Sequence, residues 1–210
     1  MSRTLVVATG NLHKVEEFAH ILAPAGWQIK ALGDLVPDFP EPEETAAEFS
    51  GNARIKAEAA HRLLPPGSWV VADDSGLAVD LLGGDPGIYS ARFAQRAGHG
   101  SGDAANRTEL VLRLRQAGLS GSDTTAAAFI CALHLIGPEG EIAVLGRCPG
   151  AVGLQERGEG GFGYDSLFFP RTANGDLERR TFAEMGEDSK NTLSHRGLAL
   201  AELERRLAHS

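Results

Sequence analysis

Two adjacent carboxylates, Asp73 and Asp74, follow a short apolar run at residues 69–72 and precede Ser75 and Gly76. The apolar run predicts a buried strand, and the residues after it predict a turn that could carry chemistry. Because neighbouring side chains of a strand point to opposite faces, both acids can reach one ligand only if the turn re-aims one of them. The alternative is a polar strand end, where Asp, Ser and Gly are common for backbone reasons.

Groups suited to phosphate binding occur at a strand-to-helix turn near the start of the chain. Residues 5–9 predict a strand that ends at Thr9, Gly10 forms the turn, Asn11 is the expected N-cap, and Lys14 lies one helical turn later. A helix N-terminus presents backbone N–H groups and the positive end of the helix dipole, to which Lys14 adds a full charge. The spacing differs from that of a P-loop, so a solvated surface helix is the alternative.

An acidic, proline-containing loop at residues 37–44 offers carboxylates for a cation. Glu43 and Glu44 could supply an oxygen ligand to Mg²⁺, which proteins usually hold by one or two carboxylates together with substrate phosphates and water. A solvated charged loop, without any ligand, is the alternative. The residues by themselves do not distinguish Glu43 from Glu44.

The segment after this loop predicts a helix with a polar face. Thr45 and Glu48 have the spacing of a capping box, which would open a helix that runs to about residue 64. Asn52 and Lys56 are four residues apart and therefore share a face, so they could address one ligand. An ordinary polar helix face is the alternative.

Glycines flank aromatic residues at positions 160–165. Gly163 and its neighbours allow the backbone to approach a flat ligand, Phe162 or Tyr164 could stack on a base, and Asp165 could accept a hydrogen bond from it. The alternative is a glycine-rich turn with buried aromatic rings.

Polar residues also precede the leucine stripe of the last predicted helix, which is expected to begin near Asp188. Lys190 and Ser194 would share a helical face, and His195 and Arg196 follow directly. Both His and Arg donate hydrogen bonds, and Arg stays charged, so the pair could bind a keto oxygen or a phosphate. An ordinary amphipathic helix is the alternative.

The composition limits the class of protein. The chain has 210 residues, of which 42% are hydrophobic and 23% charged, so we expect one domain covering residues 1–210. A formal net charge of -8 argues against a nucleic-acid partner, because such binding depends on Lys and Arg contacts to phosphate. The sequence has neither a membrane-spanning stretch nor a signal-peptide pattern, so we expect no membrane partner and a cytoplasmic location. The 2 cysteines have no metal-ligand spacing.

Helices and strands alternate in the first half of the sequence, and strands follow one another in the second. Residues 27–32 and 77–82 predict strands, residues 103–116 predict a helix, and residues 124–136 and 141–152 predict a hairpin. This order predicts an α/β fold with a mixed, twisted central sheet flanked by helices. The length of the chain also allows the domain to form two lobes around an active-site cleft.

Seven stretches together resemble the inosine triphosphate pyrophosphatase family, the pyrophosphatases of non-standard purine nucleoside triphosphates. They occur in the family's order at residues 9–14, 43–45, 52–57, 72–77, 86–92, 161–165 and 194–197. The resemblance covers nearly the whole chain. It implies hydrolysis of ITP, dITP and XTP to the monophosphate and pyrophosphate, which removes deaminated purines from the nucleotide pool, and it leads us to expect a homodimer.

The resemblance also implies a role for each matching residue. Asp74 would be the catalytic base and a ligand of Mg²⁺, with Glu43 or Glu44 as a further ligand. Thr9 to Lys14 would hold the phosphates, and residues 162–165 with the His-Arg pair would form the base and sugar pocket. The substrate-binding residues implied are Thr9, Gly10, Asn11, Lys14, Asn52, Lys56, Ser75, Phe162, Gly163, Tyr164, Asp165, Lys190, His195 and Arg196.

Two functions of other kinds remain as alternatives at this point. A non-catalytic purine nucleotide sensor would need the pocket but neither the base nor the metal. A house-cleaning pyrophosphatase for modified pyrimidine nucleotides would need the base and the metal but should lack the Ser-His-Arg stretch at residues 194–196.

Overall fold

The computed structural model describes residues 3–208, apart from the side chain of Glu187. Its strands are β1 (Arg3–Val7), β2 (Trp27–Ala31), β3 (Trp69–Val79), β4 (Thr125–Gly137), β5 (Gly140–Val152) and β6 (Phe168–Pro170). They form one six-stranded sheet in the order β2-β1-β3-β4-β5-β6. Strand β1 pairs in parallel with β2 and β3, while β5 and β6 pair antiparallel. The predicted mixed sheet is confirmed.

Six α-helices accompany the sheet in the described residues. They are α1 (Leu12–Leu22), α2 (Phe49–His61), α3 (Phe93–Arg96), α4 (Asp103–Gln116), α5 (Glu187–Leu193) and α6 (His195–Leu207). Asn11 caps α1 as predicted, since its side-chain oxygen accepts hydrogen bonds from the backbone N–H groups of His13 and Lys14. Helix α4 and the β4–β5 hairpin also lie where the sequence predicts them. None of the described helices is long and apolar enough to cross a membrane.

The described chain divides into two compact units. Unit 1 comprises residues 3–74, 131–146 and 196–208, and unit 2 comprises residues 75–130 and 147–195. Strands β3, β4 and β5 each have one end in unit 1 and the other in unit 2.

Two apolar clusters form the core of unit 1 and lie on opposite faces of its strands. Leu5 of β1 packs in one cluster with Phe18 of α1 and Leu200 of α6. Val6, the next residue of β1, packs in the other cluster with Ala57 of α2. Because successive side chains of β1 point to opposite faces, α1 and α6 pack on one face of the strand and α2 packs on the other.

An aromatic cluster dominates the core of unit 2. The rings of Phe129 and Phe168 lie 4.7 Å apart, and Phe182 packs against both. Leu110 and Leu114 of α4 belong to the same cluster. This packing fixes α4 against the segment that carries the glycines and aromatic residues of positions 160–165.

Strand β3 differs from its prediction because it does not end at the two carboxylates. It continues through Ser75 and Gly76 to Val79, so the predicted turn and the separate strand at residues 77–82 are wrong. The chain turns only afterwards, in a short 3-10 helix at Asp80–Leu82 that ends at Gly83 with a φ of 64°.

Two helix boundaries also differ from their predictions. Helix α2 begins after Glu48, which makes no side-chain capping bond, so the capping box of Thr45 and Glu48 is wrong. The side chain of Asn52 instead accepts a hydrogen bond from Ala46 N, which holds the preceding segment in a loop. Ser194 adopts extended backbone with a ψ of 150° and separates α5 from α6, so it does not share a helical face with Lys190.

Candidate active site

The alternation of side chains along β3 places Asp73 and Asp74 in two different environments. Val71 packs with residues of α1 and α6, whereas Ala72 packs with residues of α2. Side chains two residues apart on a strand point to the same face, so Asp73 shares the face of Val71 and Asp74 shares that of Ala72. Both carboxylates are buried, with 1% and 6% of their surface exposed. Their different environments therefore follow from strand geometry and need no turn.

Asp74 is bonded to the two polar residues that the sequence placed on one face of α2. Lys56 Nζ lies 3.0 Å from Asp74 Oδ1, and Asn52 Nδ2 donates to Asp74 Oδ2 at 3.2 Å. Lys56 Nζ also donates to the backbone oxygen of Asp73 at 3.1 Å. Since Asn52 accepts from Ala46 N as well, its amide is held at both ends, and the orientation of the Asp74 carboxylate is fixed.

The surroundings of Asp74 favour its protonated form more than water does. Burial raises its pKa, and this effect outweighs Lys56, which lowers it, while the nearby charge of Glu44 raises it further. For Lys56, burial lowers the pKa, but Asp74 and Glu44 more than compensate, so Lys56 remains a cation. A carboxylate with a raised pKa is suited to accept a proton from water, because it is a stronger base than an ordinary Asp.

Glu44 and Asp74 form a donor set that suits a hard divalent cation. Glu44 Oε1 lies 2.6 Å from Lys56 Nζ, so the two carboxylates converge on one positive group. In residues 3–208, His, Cys, Asp and Glu side chains form no cluster of three or more that could hold a metal. Two carboxylates nevertheless suffice for Mg²⁺ when substrate phosphates and water complete its shell. Glu43 is exposed, and Glu44 is half-buried.

Asp73 lies in a buried network of charges with α1 and α6. Its Oδ2 atom lies 2.8 Å from Lys14 Nζ and accepts a hydrogen bond from Arg196 Nη2 at 3.3 Å. Arg196 Nη1 also donates to Glu17, and Arg196 is 2% exposed. Burial raises the pKa of Asp73, but Lys14 and Arg196 outweigh it and hold that pKa well below its ordinary range. Asp73 therefore stays ionised and binds α1 and α6 to the strand.

The predicted phosphate turn has the local geometry that its sequence implies. Thr9 Oγ1 accepts a hydrogen bond from Asn11 N at 3.1 Å, and Gly10 is exposed. A Cβ atom at position 10 would lie 3.2 Å from Glu41 Oε1, so the glycine allows the acidic loop to approach. Lys14, expected to bind phosphate, pairs with Asp73.

In unit 2, Asp165 organises the loop at residues 160–165. Its Oδ2 atom accepts hydrogen bonds from Phe162 N at 3.0 Å and from Lys190 Nζ at 2.8 Å. The same Nζ atom lies 4.8 Å from the centre of the Phe162 ring. Tyr164 is buried, and its hydroxyl donates to Ser90 O at 2.8 Å. Phe162 is therefore the aromatic ring of this loop that keeps solvent-accessible surface.

The remaining predicted residues of unit 2 are Ser75 and His195. Ser75 is half-buried within β3. His195, the first residue of α6, is 7% exposed, and its ring stacks on that of Phe129 at 4.8 Å with an angle of 11° between the planes. This stacking fixes the plane of its ring.

The structure also shows contacts that the sequence did not indicate. Glu17, the partner of Arg196, lies three residues after Lys14 in α1, a spacing that could have indicated a shared face. Asp103 and Arg107 of α4 bond to the backbone of Gly163, about 60 residues away, and no local signal indicates this pairing.

Comparison with known proteins identifies the family of this chain. The family model described as the Ham1 family matches residues 5–206. A protein of Exiguobacterium sp. named dITP/XTP pyrophosphatase is 43% identical over 201 residues, which cover 95% of this chain and 94% of the relative. A Bacillus cereus protein of the same name is 41% identical over 208 residues, covering 98% and 95%.

Solved structures of similar chains share this fold. The Ham1 protein of Staphylococcus aureus superposes with a TM-score of 0.78 at 34% identity and covers 99% of each chain. A structure from Mycobacterium abscessus, titled nucleoside-triphosphatase or dITP/XTP pyrophosphatase, gives a TM-score of 0.69 at 40% identity, covering 95% of this chain and 98% of the other. The similarity extends over nearly all of the sequence and includes the strand that carries both carboxylates. The chain belongs to the Ham1 family.

Proposed function

We propose that this chain hydrolyses non-standard purine nucleoside triphosphates, namely ITP, dITP and XTP, to the nucleoside monophosphate and pyrophosphate. The observation that carries the proposal is the Asp74 carboxylate, which is held by Asn52 and Lys56 and has a raised pKa. The full-length relatives named dITP/XTP pyrophosphatase support the same activity. The 210-residue chain would act as one catalytic domain.

The reaction needs a base that activates water. In our proposal the water oxygen attacks the α-phosphorus, its proton passes to the Asp74 carboxylate, and the bond from the α-phosphorus to the bridging oxygen breaks to release pyrophosphate. Lys56 is held beside Asp74 and would stabilise the negative charge that develops on the phosphates. The N-terminal turn of α1, with Thr9, Gly10 and Asn11, would bind phosphate oxygens through its backbone and side-chain donors.

A divalent cation is part of this proposal, because the described charges around β3 do not favour a triphosphate. The ion pairs described there contain four carboxylates and three cations. The carboxylates are those of Glu17, Glu44, Asp73 and Asp74, and the cations are Lys14, Lys56 and Arg196. A triphosphate adds more negative charge, so a bound metal must compensate. We assign Mg²⁺ to Asp74 and Glu44. When bound, Mg²⁺ supplies the positive charge that neutralises the leaving pyrophosphate.

Substitution of the two glutamates distinguishes their roles. In Glu44→Gln we expect the Mg²⁺ concentration that gives half-maximal activity to rise about tenfold, because one charged oxygen ligand is lost. The matched variant Glu43→Gln, at an exposed position, should stay close to the native value. Titration of activity with MgCl₂ measures both. Equal shifts in the two variants, or a shift in Glu43→Gln alone, would remove Glu44 from the metal site.

For the nucleobase, we propose that the contacts come from unit 2. Phe162 would stack on the purine, Asp165 would accept a hydrogen bond from it, and His195 would donate to its 6-keto oxygen. Adenine carries an amino donor at this position, so a histidine donor would remain unpaired there. Gly163, Tyr164 and Ser75 would line the base and sugar. The assignments of Arg196 to the base and of Lys190 to the phosphates stay predictions.

A His195→Ala variant tests this contact. We expect the ratio of kcat/KM for dITP to that for dATP to fall by about 10- to 100-fold, because the donor that discriminates the 6-substituent is lost. His61→Ala, near the end of α2, is the matched control and should keep the native ratio. Steady-state kinetics with both nucleotides provide the measurement. An unchanged ratio in His195→Ala contradicts the proposed base contact.

The proposed function itself is tested with a substrate panel. Pyrophosphate and orthophosphate release are measured from ITP, dITP, XTP, the four common ribonucleoside triphosphates and modified pyrimidine triphosphates, with and without Mg²⁺. We expect Mg²⁺-dependent pyrophosphate release from ITP, dITP and XTP. Tight binding of ITP without turnover would instead indicate a nucleotide sensor, and preference for a modified pyrimidine would indicate the other house-cleaning class. The homodimer, the cytoplasmic location and the lack of a nucleic-acid partner stay predictions.

A further inference from the structure

The first turn of α4 contacts the loop that carries Phe162 and Tyr164. Asp103 Oδ2 accepts a hydrogen bond from Gly163 N at 2.7 Å, and Arg107 Nη1 donates to Gly163 O at 3.0 Å. Two charged side chains of one helix thus take both backbone polar groups of a single residue. Hydrogen bonds to charged groups are stronger than bonds between neutral groups, so this residue is firmly held.

Helix geometry explains how the two side chains meet one residue. Asp103 and Arg107 are four residues apart and lie on the same face of α4. Asp103 occupies the first turn, where the helix dipole favours a carboxylate, and the N-cap Gly102 has a φ of 86° and makes no side-chain capping bond. The carboxylate of Asp103 serves another segment of unit 2 instead of its own helix end.

Arg107 also connects the two flanks of the loop. Its Nε atom donates to Glu156 Oε2 at 2.8 Å, and the same oxygen accepts from Ser166 Oγ at 3.0 Å. The Arg107 side chain is 21% exposed, so these contacts are partly shielded from water. A cavity of about 150 Å³ lies along the loop, and its lining includes Arg107, Glu156, Phe162 and Asp165.

The next residue of the loop is anchored separately. Tyr164 donates to Ser90 O at 2.8 Å and belongs to the aromatic core of unit 2. Gly163 has a φ of 60°, a conformation that turns the chain between the buried Tyr164 and the half-buried Phe162. The position of the Phe162 ring therefore depends on how Gly163 is held.

We propose that Asp103 and Arg107 are positioning residues for nucleobase binding, and that they act by fixing Gly163 in the loop of Phe162. This inference rests on the proposed function, in which Phe162 and Asp165 bind the purine. A loop that is ordered before the ligand arrives loses less conformational entropy on binding, so the two residues increase affinity for the base without contacting it. They act on base binding and not on the reacting phosphates.

The experiment compares a ligand that carries a nucleobase, dIMP, with one that does not, pyrophosphate. The variants are Asp103→Ala, Arg107→Ala and their conservative counterparts Asp103→Asn and Arg107→Lys, with Arg115→Ala at an exposed position of α4 as the control. For each, KM and kcat are measured with dITP, and dIMP and pyrophosphate are used as product inhibitors. We expect both alanine variants to raise KM and the inhibition constant of dIMP about tenfold, the loss that follows from one charged hydrogen bond.

The proposal also predicts which kinetic constants should not change. The inhibition constant of pyrophosphate and kcat should stay within about twofold of native, because these report on the phosphates and the chemical step. The conservative variants, which keep an acceptor oxygen or a donor, should recover most of the native KM. Peptides that cover residues 156–166 should exchange amide hydrogen faster in the alanine variants.

Other results overturn the inference. Native KM in both alanine variants, equal weakening of dIMP and pyrophosphate, or no recovery in the conservative variants would each contradict a positioning role. If Asp103→Ala fails to fold, Arg107→Ala with Arg107→Lys decides the question. Failure of the proposed function is recognised separately, since native protein would then release no pyrophosphate from dITP.

Discussion

Replacing Asp74 by Asn is expected to lower kcat for dITP hydrolysis about 1,000-fold, because the amide cannot take a proton from the attacking water. Asp74 is the carboxylate of β3 whose pKa is raised by burial, and Asn52 and Lys56 fix its direction. Nucleotide binding should change by about tenfold or less, since the base acts mainly in the transition state. Pyrophosphate release gives kcat, and calorimetry with dITP gives the dissociation constant.

Two comparisons make the Asp74→Asn result specific. Asp80→Asn, at an exposed position just after the same strand, removes an equal charge and should keep native activity. Raising the Mg²⁺ concentration should not restore turnover in Asp74→Asn, whereas it should do so in Glu44→Gln. Turnover of Asp74→Asn within about tenfold of native would show that another group is the base.

Removing Arg196 or Asp73 is expected to have the largest effect on stability. Arg196 is buried between Asp73 and Glu17, and Asp73 is also paired with Lys14. Deleting one partner leaves an uncompensated buried charge, so Arg196→Met or Asp73→Asn should lower the free energy of unfolding by about 3–5 kcal/mol. Urea denaturation of the metal-free protein, followed by circular dichroism, measures this change.

The control for this loss is Glu16→Gln, whose side chain on α1 is 77% exposed beside His13. It should change the free energy of unfolding by about 0.5 kcal/mol or less. Because Asp73 and Arg196 share one network, the double variant should lose less than the sum of the two single losses. Additive losses, or equal losses in Glu16→Gln, would contradict the buried network.

The same network has a defined dependence on pH. The pKa of Asp73 is lowered in the folded protein, so its contribution to stability is complete above its ordinary value of 3.8 and is lost as the pH falls from there toward the folded value. Native protein should therefore lose stability below about pH 4 more steeply than Asp73→Asn, in which this group cannot titrate. Denaturation curves measured from pH 7 to pH 3 compare the two proteins.

Local sequence patterns determined several secondary-structure elements of this protein and indicated its family. The side chain of Asn11 caps α1 through residues two and three positions away, and the hydrophobic spacing of α4 gave its correct bounds. The hairpin of β4 and β5 follows from a short turn between apolar runs. The seven motifs indicated the family, because each combines residue types with a fixed local spacing. Such features depend on neighbours in the chain, which the sequence displays directly.

The tertiary structure decided which contacts and surroundings each of these residues has. The sequence could not show that β3 continues past Ser75, because its place between β1 and β4 in the sheet overrides the turn preference of Ser and Gly. Nor could it show that the Ala46 backbone bonds to Asn52 in place of a capping box.

The two carboxylates give the clearest example. Their adjacency in sequence implied only that they face opposite ways, whereas the packing of α1 and α6 on one face and α2 on the other gives Asp73 a lowered pKa and Asp74 a raised one. Gly163 likewise receives its partners from α4 across about 60 residues. These differences arise from burial and from charges brought together by folding, which depend on distances that the order of residues does not contain.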